Sequence, residues 1–193
     1  GCHMTDQYQR RKSQWRKRAG TITGMCLLFL FLCTAGCSTK ETHQNGEQIA
    51  WQTTLLTDVR TGTQFSIAEM NGTPLLIQPF TITCPICMQQ QAAISRLYAQ
   101  EEIPFVMVGL DIDPNGNENS LHDCTRDHEY YGFYARSPPE LTTALVDQFG
   151  LRVLSPAQAP LILVCPDGKA RMLDPGLKSS EDLKKVLAEG CQA

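Results

Sequence analysis

The sequence predicts an α/β domain in which helices flank a central mixed β-sheet. Three observations carry this. Apolar runs at residues 75–79, 105–110 and 161–165 have the length and residue make-up of buried strands. A segment of helical character, 89–100, separates the first two, so strand, helix and strand follow in order and the strands pair in parallel. After the third run, Pro166-Asp167-Gly168-Lys169 makes a hairpin turn into 170–173, which adds antiparallel pairing.

Taken in order, the domain begins at Trp51. Residues 51–59 set Thr53, Leu55 and Thr57 against Thr54, Leu56 and Asp58, as in a short strand. Thr61-Gly62-Thr63 turns the chain, and Phe65 and Ile67 point inward. Asn71-Gly72-Thr73-Pro74 turns it again and leads into the strand at 75–79, whose largely apolar character places it centrally. The helix that follows presents Met88, Ala92, Leu97 and Tyr98 on one face and ends before Ile103-Pro104. Asp111 to Asn117 closes the second strand with acidic and turn residues; their spacing misses the calcium-loop pattern, which needs regular ligands and a closing Glu.

A helix is expected over 118–130, carrying Leu121, Cys124 and His128. Tyr130-Tyr131-Gly132-Phe133-Tyr134 forms a short strand, and core packing is preferred for its aromatics over a partner-docking patch. Ser137-Pro138-Pro139-Glu140 opens a helix to Phe149, with Leu141, Leu145, Val146 and Phe149 facing the core and Gly150 ending it. Ser180 is expected to cap a last helix through Leu183, Val186 and Leu187 to Glu189.

The front of the chain is of another kind. Gly1-Cys2-His3 before Met4 reads as an expression scar. Residues 4–37 combine basic Arg10, Arg11, Lys12, Arg16, Lys17 and Arg18 with a Leu/Phe-rich core and the small-residue end Thr34-Ala35-Gly36-Cys37. That is the pattern of a secretion signal with a lipobox-like end, in which Cys37 is the lipidation site; the alternative is a short uncleaved membrane anchor. The polar segment 38–50 is a flexible tether, and 51–193 is the folded domain. Either reading places the domain outside the cytoplasm, tethered to a membrane. The net charge of −3 gives no reason to expect nucleic acid as a partner.

The chemistry centres on Cys84-Pro85-Ile86-Cys87, at the junction of the first central strand and its helix. Pro85 suits the first helical position, where its missing N–H has no intrahelical partner. Two intervening residues hold both sulfurs on one turn, close enough for a disulfide. At the helix start the unsatisfied N–H groups and the dipole favour a thiolate on Cys84, which becomes the attacking nucleophile; Cys87, deeper in the turn, resolves. A Cys-x-x-Cys pair is also half of a zinc knuckle, but no second such pair follows. Of the remaining cysteines, Cys165 reads as a small buried hydrophobe and Cys191 as incidental. Cys124 is either buried or one half of an accessory pair, and Cys26 and Cys33 fall within the leader.

The runs TPLLIQPFTITCPIC, FVMVGLDIDP, DQFGLR and APLILVCPDGKA, spread over 51–190, together resemble the thioredoxin superfamily. Within it the chain is most similar to the membrane-tethered TlpA/ResA-like thiol-disulfide proteins and the related Sco copper-chaperone proteins. The resemblance implies a thioredoxin-like fold, with Cys84 as nucleophile and Cys87 as resolving cysteine. It also implies a cis-proline at Pro160, facing the disulfide 73 residues after Cys87, with Pro156 as the competing proline. Thr83, Pro85, Ile86 and Ala159 would shape the substrate groove, Ala159 through backbone hydrogen bonds. Substrates would be thiols and disulfides of secreted or membrane-associated proteins, served by a separate extracytoplasmic electron donor and no cofactor.

The chain also departs from these patterns. Ile82 and Thr83 stand where a tryptophan is usual, and two residues rather than the three of Sco proteins separate the cysteines. No histidine lies near Ala159-Pro160. The alternative readings are a Sco-like carrier holding Cu(I) on the soft thiolates of Cys84 and Cys87, helped by Met88, and a non-catalytic binding module. Thr81 stands three residues before Cys84 as in peroxiredoxins, but the proline spacing is wrong, so strong peroxidase activity is not expected.

Overall fold

The computed structural model describes residues 50–100 and 103–192. The expected leader, the Cys37 lipidation site and all but the last residue of the tether lie outside the described residues. Among the described residues, seven strands and four α-helices follow in order: β1 (Leu56–Thr57), β2 (Gln64–Phe65), β3 (Leu75–Phe80), α1 (Pro85–Ala99), β4 (Val106–Asp111), α2 (Glu118–Asp127), β5 (Phe133–Arg136), α3 (Pro139–Phe149), β6 (Ile162–Val164), β7 (Ala170–Met172) and α4 (Ser180–Glu189). Among the described residues no helix is long and apolar enough to cross a membrane.

The main sheet runs β5-β4-β3-β6-β7. β3 pairs in parallel with β4, and β4 with β5, whereas β6 lies antiparallel to both β3 and β7. The predicted mixed sheet is therefore present, with β3 at its centre. All six residues of β3 are buried, Gln78 among the apolar ones. Pro79 is tolerated in this central strand because β6 pairs only as far as Ile77, while β4 continues to Phe80. The side on which Pro79 lacks an N–H has already lost its neighbour.

The start of the domain departs from expectation. Trp51–Thr53 is a turn of 3₁₀-helix, and only Leu56–Thr57 is strand, paired with β2 in a separate ribbon. Asp58 explains why the chain leaves the extended path: its carboxylate accepts from the Thr61 hydroxyl at 2.8 Å and from the Tyr134 backbone N–H at 2.9 Å. That second bond ties the ribbon to β5. The aromatic run is core: Tyr130 and Tyr134 are buried, and Tyr98 stacks on Tyr131 with ring centroids 3.4 Å apart.

The buried face of α1 is not the expected one. Cys87, Gln90, Gln91, Ala93, Ile94 and Leu97 are buried, while Met88, Ala92 and Tyr98 are half-buried. An apolar count misses this face because two of its members are amides. Gln90 earns its place by bonding both ways with the backbone of Lys178: Oε1 accepts the N–H at 2.8 Å and Nε2 donates to the carbonyl at 3.1 Å. Beneath α1, Leu76, Ile94, Leu97, Met107, Leu163, Leu183 and Leu187 form the main core. Each such side chain contributes about 1.5–3 kcal/mol when fully buried. The last helix is capped by Ser179 rather than Ser180, in a reciprocal capping box with Asp182. The short bonds from Ser179 hold the Asp182 carboxyl below the usual carboxylate range.

Candidate active site

β3 ends at Phe80, and Thr81 to Thr83 turn the chain so that Cys84 becomes the N-cap of α1. The turn is closed by the Cys84 N–H, which donates to the Thr81 carbonyl at 3.1 Å. Cys84 has extended φ/ψ of −90° and 107°, and Pro85 takes the first helical position. The Sγ of Cys84 accepts the backbone N–H of Cys87 at 3.2 Å. A sulfur thus occupies the position where a capping oxygen usually sits, facing unsatisfied N–H groups and the positive end of the helix dipole. When the disulfide is open, this position favours a thiolate on Cys84.

Cys84 and Cys87 form a disulfide with Cα atoms 5.3 Å apart. Cys84 is 9% exposed and Cys87 is 0% exposed, so the first cysteine lies nearer the surface and is the more accessible of the two. Thr83 and Pro85 are exposed and Ile86 is half-buried, which sets these three predicted groove residues around the more accessible cysteine.

The other side of the site corrects two expectations. The predicted cis-proline is not found: no described peptide bond is cis, and Ala159, in a left-handed conformation with φ 47° and ψ 55°, turns the chain instead. Ala159 is fully buried and its N–H donates to the Pro156 carbonyl at 2.8 Å, so that N–H is not offered to a peptide. Pro160 is buried at the entry to β6. The residue that meets the disulfide is Pro156, whose carbonyl oxygen lies 3.3 Å from Sγ of Cys87. It belongs to a short 3₁₀ turn, Pro156–Gln158, that packs on α1.

Behind the disulfide, Phe80, Cys84, Cys87, Leu121, Tyr130 and Tyr134 form a second core cluster, with Ile82, Ile86, Met88 and Cys124 packed against it. Gly109 on β4, opposite Gln78, makes this possible, since a β-carbon there would collide with the Tyr134 ring. Burial pushes the Tyr130 hydroxyl up to about 12 and that of Tyr134 higher still. Gln78 lies in the same strand, fully buried, with Nε2 3.5 Å from the Cys87 carbonyl.

The remaining predicted cysteine roles change. Cys165 and Cys191, read separately as a small hydrophobe and an incidental residue, form a disulfide with Cα atoms 5.5 Å apart. It staples the segment after α4 to the end of β6. Because Val164 pairs with Leu75 at the start of β3, this bond lies at the opposite end of the strand from Cys84. Sequence carried no signal for the pairing, because the 26-residue separation becomes short only once α4 packs back on the sheet. Cys124 is the free cysteine among the described residues and is half-buried; burial first, then Asp127 and Asp111, push its thiol up. His128 stacks on Tyr130 at 5.1 Å between centroids. Among the described residues no three or more His, Cys, Asp or Glu side chains converge to hold a metal.

This is a thioredoxin-like fold with a disulfide at the helix start that follows its central strand. The fold is shared with solved structures of thiol-disulfide oxidoreductases. A secreted Mycobacterium tuberculosis disulfide oxidoreductase homologous to E. coli DsbE aligns with a TM-score of 0.53 at 16% identity, covering 74% of this chain and 98% of its own. A thiol:disulfide interchange protein from Chlorobium tepidum TLS aligns at 0.55 and 16% identity, covering 70% and 90%. BsSco, a member of the Sco family of cytochrome c oxidase assembly proteins, aligns at 0.56 and 18% identity, covering 72% and 91%. No protein-family model matches the chain, and no curated protein matches it.

Proposed function

We propose that this protein is an extracytoplasmic, membrane-tethered thiol-disulfide oxidoreductase that reduces disulfides of secreted or membrane-associated proteins. The observation that carries the reading is the asymmetry of the pair. Cys84 caps a helix and keeps some residual exposure, whereas Cys87 is fully buried against a carbonyl. One sulfur is placed to attack and the other to wait.

In the reduced protein the Cys84 thiolate attacks a substrate disulfide R–S–S–R′, forming Cys84–S–S–R and releasing R′–S⁻. Cys87 then loses its proton, which the departing thiolate takes up, and attacks Cys84 Sγ. The Cys84–S–S–R bond breaks, R–SH leaves with that proton, and the Cys84–Cys87 disulfide remains. Two electrons pass from the dithiol to the substrate, and a separate thiol donor must return them. The second disulfide, Cys165–Cys191, supports an oxidising compartment, where such bonds persist. A leader ending at Cys37 would supply the tether.

The alternative reading is Sco-like delivery of Cu(I), carried as cargo on the two thiolates. One experiment separates the two. The reduction potential of the Cys84–Cys87 couple is measured on the full chain in detergent by alkylation and peptide mass, with and without Cu(I). A reversible couple below roughly −220 mV supports a reductant, and one near roughly −120 mV an oxidant. A pair that resists exchange but takes up one Cu(I) stoichiometrically replaces the exchange reading with the copper one.

A further inference from the structure

Gln78 is a buried amide in a strand whose other residues are apolar, and its burial is complete. Such a group usually has both ends bonded, because leaving one unmade costs about 1–3 kcal/mol. Here Nε2 reaches the Cys87 carbonyl at 3.5 Å, and Oε1 has no hydrogen-bond partner among the described residues. The neighbouring Cys87 is a disulfide sulfur with no proton to give. Reduction changes that, because it creates an S–H donor on the residue whose carbonyl the Gln78 amide already faces. A second acceptor already waits on the other side, the Pro156 carbonyl 3.3 Å from Sγ.

We infer that Gln78 is a positioning residue for the resolving cysteine: its buried amide holds the first turn of α1 through the Cys87 carbonyl and offers reduced Cys87 an uncharged acceptor. This rests on the exchange reading above and deepens it. With uncharged acceptors on both sides, Cys87 stays a neutral thiol until the mixed disulfide at Cys84 draws it into attack. The proton then leaves with the substrate thiolate rather than through a side-chain base. The titratable groups gathered round Cys87 fit this role. Cys84, Cys124, Tyr130 and Tyr134 share its cluster, and burial pushes Cys124 and both tyrosines towards their neutral forms. Of the charged groups on the packed elements, Asp111 of β4 is committed to Arg136 at 2.6 Å, and Arg152 before the Pro156 turn reaches the Leu173 carbonyl at 3.4 Å. Gln91, further along α1, is likewise buried without a partner for its side-chain amide, and that amide makes no bond to Cys87.

The test follows the two chemical steps separately. Full-length protein is reduced, mixed with a small aromatic disulfide, acid-quenched at intervals and mapped by peptide mass. The adduct on Cys84 reports attack, and the Cys84–Cys87 disulfide reports resolution. Gln78→Met keeps the shape and removes the acceptor, while Gln78→Glu puts a charge in its place. The expected result is an attack rate within about twofold of the parent in both variants. The pH midpoint of resolution moves in opposite directions: down by roughly half a pH unit for Gln78→Met and up by roughly one for Gln78→Glu. A midpoint unmoved in both variants, or moved the same way in both, overturns the inference and leaves Gln78 a packing residue. Should Gln78→Glu fail to fold, the near-isosteric Gln78→Met decides alone, and an unmoved midpoint there is fatal. A parent protein that forms the Cys84 adduct but never resolves it, or forms none, instead sinks the exchange reading itself.

Discussion

The carbonyl oxygen of Pro156 stands 3.3 Å from Sγ of Cys87, while the Sγ of Cys84 receives the Cys87 N–H at 3.2 Å. One sulfur therefore faces a partial negative charge and the other a partial positive one, although they lie only 3 positions apart in sequence. The two cysteines are chemically unequal before any substrate arrives, and the division of labour follows.

Cys84→Ser is expected to lower disulfide exchange by roughly a thousandfold or more, since the nucleophile itself is gone. Cys87→Ser should instead leave attack intact and trap a mixed disulfide on Cys84. Single-turnover mass mapping of both variants checks this. A binding module would keep its partner in both, and trapping on Cys87 rather than Cys84 would reverse the assignment.

Replacing Cys165 and Cys191 together by Ala is expected to cost about 2–4 kcal/mol of stability, the range for closing a loop of this size. Urea unfolding of the variant measures it. Attack by Cys84 should stay within about twofold, because the staple lies at the other end of β3. A large loss of exchange with little loss of stability would contradict the structural role.

Much of this architecture was legible in the sequence. The strands at 75, 106 and 162, the hairpin at 166–169 and the capping position of Cys84 all follow from apolar runs and turn residues. What stayed hidden shares one cause, namely that it depends on which distant segment packs where. Gln90 and Gln91 look like solvent-facing residues until the Lys178 backbone comes down on the first of them. Pro160 was expected opposite the disulfide because the family resemblance implied a cis-proline there, but a left-handed Ala159 and a short 3₁₀ turn bring Pro156 there instead. The Cys165–Cys191 bond likewise required the return path of α4.

Gln90→Ala removes both bonds to Lys178 and leaves the backbone N–H and carbonyl of that residue without these partners. The expected loss is about 1–3 kcal/mol, read from a urea midpoint with unchanged slope. Gln90→Glu should recover less than half of it, since a carboxylate accepts but cannot donate. Equal stability of all three proteins would show that the pairing is incidental.

Cys124 is free, yet it should be the slow thiol of the domain. Burial and the nearby Asp127 and Asp111 push it up, so at a given pH a smaller fraction is thiolate than for an ordinary cysteine. Alkylation of the oxidised protein followed across pH 7 to 10 should therefore show a midpoint above roughly 8.5, the ordinary thiol value. In the reduced protein Cys84 should label well before it. A Cys124 midpoint below the ordinary value would overturn this.

The two disulfides close opposite ends of one strand, roughly 20 Å apart along six residues of β3. Electrons handed to the Cys84–Cys87 couple have no internal wire to the staple. Any drain from one to the other must pass between two molecules, with the Cys84 of one meeting Cys165–Cys191 of a neighbour. Self-inactivation would then rise with the second power of protein concentration and fade on dilution.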